Sequence, residues 1–163
     1  MSKIVKVPVL PHTHKMMITL FGSEGIISFD KDSFIGAMMM VGLEKVDFNL
    51  KPRTMPEGCV DLKFKLPARL CDYDLTEKTA INVGRFLDQF FRHSLAMYSA
   101  GMMNLLKNKQ AAATAFLDFV DVRDFIELDT AKKMARRRIA SYQDNRRKNK
   151  RKDLQKNLQT VAV

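Results

Sequence analysis

Val60-Asp61-Leu62-Lys63-Phe64-Lys65-Leu66 alternates apolar and charged side chains without a break. Successive strand residues face opposite sides, so the segment predicts a strand with one dry face and one wet face. A little further on, Asp74-Leu75-Thr76-Glu77 has the form of a capping box, with Asp74 as N-cap and Glu77 reaching back to it. Behind it Val83, Phe86, Leu87, Phe90, Ser94, Leu95, Tyr98, Met102, Leu105 and Leu106 recur at three- and four-residue steps. That spacing places them on one face of a long amphipathic helix. The period thus changes near Leu70, from strand-like to helical. The expected class is α+β: a small antiparallel β-rich N-terminal half followed by a helical half that ends in a long basic helix.

Working back from that strand, Val46, Phe48 and Leu50 alternate with Asp47 and Asn49. A linker over 51–58 carrying Pro52, Pro56 and Gly58 lets this segment form a hairpin with 60–66. Val5, Val7 and Val9, alternating with Lys6 and Pro8, predict an edge strand. Met16 to Phe21 reads as a second strand, Gly22-Ser23-Glu24-Gly25 as a turn, and Gly25 to Phe29 as a third strand closing a first hairpin. Residues 32–42 fit either a short helix capped by Asp32 or Ser33 or a buried strand, because Gly36 and Gly42 weaken the helix.

Working forward, Gly84 and Gly101 mark close packing or a bend in the long helix, and Phe91, Met97 and Met103 lie off its main stripe. Ala111 to Val120 predicts another helix. Asp129-Thr130 opens the last one, with Leu128, Ala131, Ala135, Ile139 and Tyr142 as its apolar stripe. The stripe stops at Tyr142. The expected organisation is a β-rich region 1–70, a helical region 71–128, and a basic helix and tail 129–163: one compact domain plus an appendage.

The 163 residues carry 28 Lys and Arg against 18 Asp and Glu, a formal charge of +10. The distribution is more informative than the total. Residues 1–70 hold 10 basic and 7 acidic side chains, residues 71–130 hold 6 and 9, and residues 131–163 hold 12 and 2. A basic tail on a nearly neutral body calls for a polyanionic partner. Lys132, Lys133, Arg136, Arg137 and Arg138 fall opposite or beside the apolar stripe. Arg146, Arg147, Lys148, Lys150, Arg151 and Lys152 follow it in a run without apolar residues. Each cation placed on a phosphate releases condensed counterion, and a helix about 12 Å across fits the DNA major groove. These eleven residues are the candidate nucleic-acid contacts, and Arg136-Arg137-Arg138 is where base contacts are expected. The order helix 111–120, connection 121–128, basic helix loosely resembles a helix-turn-helix. Its connection of about eight residues exceeds the usual turn and holds no glycine, so no residue role is carried over.

Other chemistries find less support. No apolar run approaches the ~20 residues that span a bilayer. The cations of the last helix face no bulky apolar surface of the kind an interfacial helix needs. The N-terminal segment is broken by Lys6, Pro8 and Pro11 and does not read as a signal peptide. Cys59 and Cys71 have no CxxC spacing and read as reduced thiols. The expectation is an intracellular protein, of the cytoplasm or nucleoid, or one of a virion interior, with a viral or mobile-element origin open. His12-Thr13-His14 would place two imidazoles on one strand face, but zinc needs further ligands. Asp47 with Asp61-Leu62-Lys63 resembles the PD-(D/E)xK metal-nuclease arrangement. No Pro-Asp precedes it, and the element order around it differs. GxSxG, P-loop, GxGxxG and HExxH are absent. The reading is therefore a non-enzymatic protein without cofactor or metal. Its 11 methionines, clustered at 38–40 and 102–103, suit an adaptable core or a homo-oligomer interface. The alternative reading is a structural or assembly subunit whose basic tail meets an acidic partner or a packaged genome.

Overall fold

A computed structural model of the chain describes residues 2–28, 30, 32–45, 54–106 and 108–161, with the side chains of 104, 109 and 150–161 outside the description. The described elements run β1 (Lys3–Val9), α1 (Pro11–Phe21), β2 (Gly22–Ser23), β3 (Ile26–Ser28), α2 (Phe34–Gly42), β4 (Leu43–Lys45), β5 (Val60–Leu66), β6 (Tyr73–Leu75), α3 (Glu77–Leu106), α4 (Lys109–Phe119) and α5 (Leu128–Val161). The class is α+β, with strands confined to the N-terminal half.

The alternating strand Val60–Leu66 is the centre of the main sheet, whose order is β1-β5-β3-β2. β1 pairs antiparallel with β5, bringing Val5 opposite Phe64 and Val7 opposite Leu62. All four are buried, so the dry faces of the two strands coincide. β3 runs parallel to β5. The sheet is therefore mixed, not purely antiparallel. β4 and β6 form a separate antiparallel pair.

Two expectations change here. Met16–Phe21 is helical: Pro11 occupies the first turn of α1, where its missing N–H is harmless. The buried face of α1 is His12, Thr13, Met16 and Met17. Its two polar members hide the helical period, and the short apolar run that remains passes for a strand. The first hairpin is accordingly smaller. Gly22–Ser23 pairs with Ile26 and Ile27 across Glu24 and Gly25, both at positive φ (53° and 77°), as a tight two-residue hairpin requires. The strand expected at 46–50 lies outside the described residues, and among the described residues β5 pairs with β1 and β3.

Residues 34–42 are helical, with the Ser33 hydroxyl accepting the Gly36 N–H at 3.0 Å. The cap of α3 is Thr76, not Asp74: the Thr79 N–H donates to Thr76 Oγ1 at 3.3 Å. Asp74 sits in β6 and pairs with Lys3 at 3.1 Å. The buried face of α3 comprises Ala80, Val83, Gly84, Leu87, Asp88, Phe91, Leu95, Ala96 and Ser99. Phe91, expected off the stripe, is fully buried, whereas Phe86, Leu105 and Leu106 are exposed. A Cβ on Gly84 would meet the Pro8 carbonyl oxygen at 1.9 Å, so this glycine is the close approach. Gly101 has no neighbour within 4 Å of such an atom.

The chain divides into two compact units, 1–91 with 117–126, and 92–116 with 127–163. The core of the first joins Val5, Val7, Leu62, Phe64 and Leu66 of the sheet with Met16 and Met17 of α1 and Met39 of α2. The second is helical: the last turns of α3, most of α4, and α5. Among the described residues no helix is long and apolar enough to cross a membrane.

Candidate nucleic-acid interface

α5 begins one residue before the expected Asp129-Thr130 start and continues as helix past Tyr142 to Val161. Its first turns bury Ala131 and Ala135 fully or nearly so, and half-bury Leu128, Ile139 and Tyr142. The apolar stripe read from the sequence is thus the inward face. Lys133, Arg136 and Arg137 are exposed on the other side, and Arg146, Arg147 and Lys148 are exposed further along. None of these six forms an ion pair among the described residues. The side chains of Lys150, Arg151 and Lys152 lie outside the described residues.

Two of the candidate cations are engaged within the protein. Lys132 bonds the Asp129 carboxylate at 2.9 Å, one turn back. The hydrogen bond and the charge of Lys132 hold that carboxyl below its ordinary range. Arg138 donates from Nε to the Tyr142 hydroxyl at 3.2 Å and lies 5.6 Å from the centre of its ring. Tyr142 is also hydrogen-bonded to Nδ1 of His93 and meets that imidazole edge-on. Arg138 is therefore half-buried and oriented, while Arg136 and Arg137 are free to turn outward. The i,i+4 spacing of Arg138 and Tyr142 is legible in the sequence. Nothing in the sequence points to His93 as a partner of Tyr142.

The histidines of the N-terminal unit are not a metal pair. They lie in the first turn of α1, where residues two apart face away from one another. His12 Nε2 lies 3.2 Å from Asp88 Oδ1, and the Thr13 hydroxyl donates to the same oxygen at 3.3 Å. The His12 ring rests on Phe91 at 4.6 Å. His14 is held neutral to lower pH than usual, first by burial and then by the charge of Lys63. Among the described residues no group of three or more His, Cys, Asp or Glu comes together in a way that could hold a metal.

The nuclease-like constellation has a different use. Asp61 pairs with Lys6 at 3.2 Å, and Lys63 stands opposite Lys6 in the β1–β5 ladder. Asp47 lies outside the described residues. A cavity of about 290 Å³ beside this strand brings Asp61, Asp74 and Glu77 to its walls together with Lys6. Asp61 is paired with Lys6 and Asp74 with Lys3.

No family model, no curated protein and no solved structure matches this chain.

Proposed function

We propose that this is a non-enzymatic nucleic-acid-binding protein that takes DNA on its basic C-terminal helix, as a regulator or an accessory factor in a DNA transaction. The observation that carries the reading is the sidedness of α5. One face is committed to packing through Ala131 and Ala135, and the other side presents Lys133, Arg136 and Arg137, exposed and without an ion pair among the described residues. Arg146, Arg147 and Lys148 extend this cationic surface along the same rod. Cations carried on an already wound helix give up little backbone freedom when they meet a phosphate ladder, and each contact releases counterion. Arg138, locked on Tyr142, suits a positioning contact, whereas Arg136 and Arg137 retain the reach for a base edge.

The test is fluorescence anisotropy of the full chain on labelled duplex and single-stranded DNA across a salt series, beside a chain ending at Tyr142. Each phosphate engaged should steepen the slope of log K against log salt by about 0.9 on duplex. Absence of binding to either form at low salt overturns the proposal.

A second reading, an assembly subunit whose copies associate, is favoured by an apolar surface on the first unit. Val41 of α2 is 91% exposed and Phe34 58%, and Phe34 meets the partly exposed Phe86 ring at 5.6 Å. Contiguous exposed apolar side chains of this size are uncommon on a monomer. Light scattering of the chain without DNA, beside Val41→Lys, separates the readings. Defined oligomers that disappear in the variant support association through α2, and a monomer at every concentration removes it.

A further inference from the structure

The outward face of α5 is not uniformly basic. Arg136 and Arg137 are followed eleven residues on by Arg147 and Lys148, and all four are exposed. Eleven residues make three turns and about 20° more, so the two pairs point the same way, about 16 Å apart along the axis. Between them on that face stands Asp144, exposed and the only acidic residue in the sequence from 131 to 152. Its direction follows from its neighbour. Tyr142, two residues earlier, turns inward to His93 of α3, and residues two apart on a helix lie on nearly opposite sides. Arg147 and Lys148 are three and four residues beyond Asp144, the spacing of helical ion pairs. Yet no ion pair among the described residues includes this carboxylate. It is presented outward in the middle of a cationic face.

Building on the DNA-binding reading, we propose that Asp144 lies over the floor of the major groove and selects a cytosine by accepting from its N4 amino group. Electrostatics favours this pose. A helix that followed one backbone would set Asp144 against a phosphate between its two pairs of cations, like charge on like charge. A helix that crosses the major groove, about 12 Å wide, sets one pair at each wall and Asp144 over the base edges between them. Ala140, one turn earlier and equally exposed, is short enough to let the helix come close there. The chemistry of the base edges then selects the partner. In the major groove guanine presents only the acceptors N7 and O6, and thymine the acceptor O4, all of which repel a carboxylate. Adenine sets its N7 acceptor beside the N6 amino group, an arrangement that suits an amide and opposes a carboxylate. Cytosine offers the N4 donor with no acceptor of its own beside it. Arg136 and Arg137 keep the contacts given to them above, and Asp144 adds a choice of base to them.

The experiment is selection of duplexes from a randomised pool by the full chain, beside Asp144→Asn and Asp144→Ala, followed by anisotropy on the selected duplexes at one salt concentration. The unaltered chain should fix cytosine at one position, and replacing that base pair should cost about ten-fold in affinity. Asp144→Asn should turn the preference at that position to adenine, the base an amide pairs with at N6 and N7. Asp144→Ala should lose the preference there and keep those at other positions. N4-methylcytosine at the same position should weaken the unaltered chain about ten-fold and leave Asp144→Ala unchanged. The two possible failures differ. No binding to any duplex removes the DNA-binding reading, and the role of Asp144 falls with it. Binding with the same base preferences in all three chains, or with none, overturns the role of Asp144 alone. So does a uniform gain in affinity for every sequence in Asp144→Ala, the result expected of a carboxylate that meets only phosphate or its own neighbours Arg147 and Lys148.

Discussion

Asp88 accepts from two side chains of α1 at one carboxylate oxygen: Nε2 of His12 at 3.2 Å and the hydroxyl of Thr13 at 3.3 Å. All three residues are buried. The contact pins the first turn of α1 to the middle of α3, across 76 residues of chain in the case of His12. A carboxylate so placed is the common acceptor for two buried donors. Asp88→Ala should destabilise the fold by about 2 kcal/mol, the cost of buried donors left without an acceptor, and Asp88→Asn by less, because an amide oxygen still accepts. Urea unfolding with unchanged m-value measures both.

Two glycines of α3 should respond in opposite directions to the same substitution. At Gly84 the new Cβ would lie 1.9 Å from the carbonyl oxygen of Pro8, a backbone atom of the sheet that cannot rotate aside. Gly84→Ala should therefore cost about 3 kcal/mol, at the upper end of ordinary overpacking. At Gly101 nothing lies within 4 Å of the added atom. Gly101→Ala should stabilise the chain by about 0.5–1 kcal/mol through helix propensity alone. Thermal unfolding of the two variants checks the sign of each.

His14 gives the protein an acid sensitivity of definite sign. Burial, and then the charge of Lys63, lower its pKa below the ordinary 6.5. Below that pH the unfolded chain takes up a proton that the folded chain resists, so stability rises with pH across the window and falls as the solution is acidified. His14→Gln should flatten that slope below pH 6.5. Lys63→Gln should narrow the window without abolishing it, since burial is the larger cause. Urea midpoints at about pH 7 and about pH 5.5 for the three chains are the measurement.

Arg136, Arg137 and Arg138 are adjacent in sequence but should not behave alike. Replacing all three by Ala should weaken DNA binding and lower the salt slope by about 0.9 for each phosphate no longer engaged. Arg136→Ala or Arg137→Ala should leave stability within about 0.5 kcal/mol of the parent, as exposed sites do. Arg138→Ala should cost about 0.5–1 kcal/mol by removing the guanidinium from the Tyr142 ring. Anisotropy beside urea unfolding separates the two effects. Unchanged DNA affinity in the triple variant would move the binding surface to residues 146–152 or off the helix.

Much of the fold is legible in the sequence, and the exceptions have a common cause. Val60–Leu66 announces itself because its apolar residues from Leu62 onward are buried and its lysines are wet. The long helix announces itself by its length. Its inward face is misplaced by apolar patterning because that face is built partly of residues such patterning discounts. Gly84 is there to let Pro8 approach, Asp88 receives His12 and Thr13, and Ser99 is a buried hydroxyl on the same face. The α1 helix reads as a strand for the same reason, since His12 and Thr13 complete its buried stripe. Thr76 is overshadowed as a cap because Asp74, two residues earlier, has the stronger signature, yet Asp74 is drawn off by Lys3. The basic segment is located by counting charge. Which of its cations the protein keeps for itself depends on Asp129, Tyr142 and His93, and the last of these is distant in the chain.

The run beyond Tyr142 also bears on its own winding. Arg146 and Lys150, Arg147 and Arg151, and Lys148 and Lys152 stand four apart along α5, the spacing at which like charges on a helix repel. Each such pair opposes helix formation by about 0.2–0.5 kcal/mol, with no apolar face there to offset it. Anions seated between the members of a pair convert that repulsion into attraction to a shared counter-charge. Coiling of the last turns and capture of a polyanion are thus linked quantities, and linkage acts in both directions. Whatever neutralises the segment winds it, and whatever winds it, including the screening of added salt, lowers the work of arranging its cations in register.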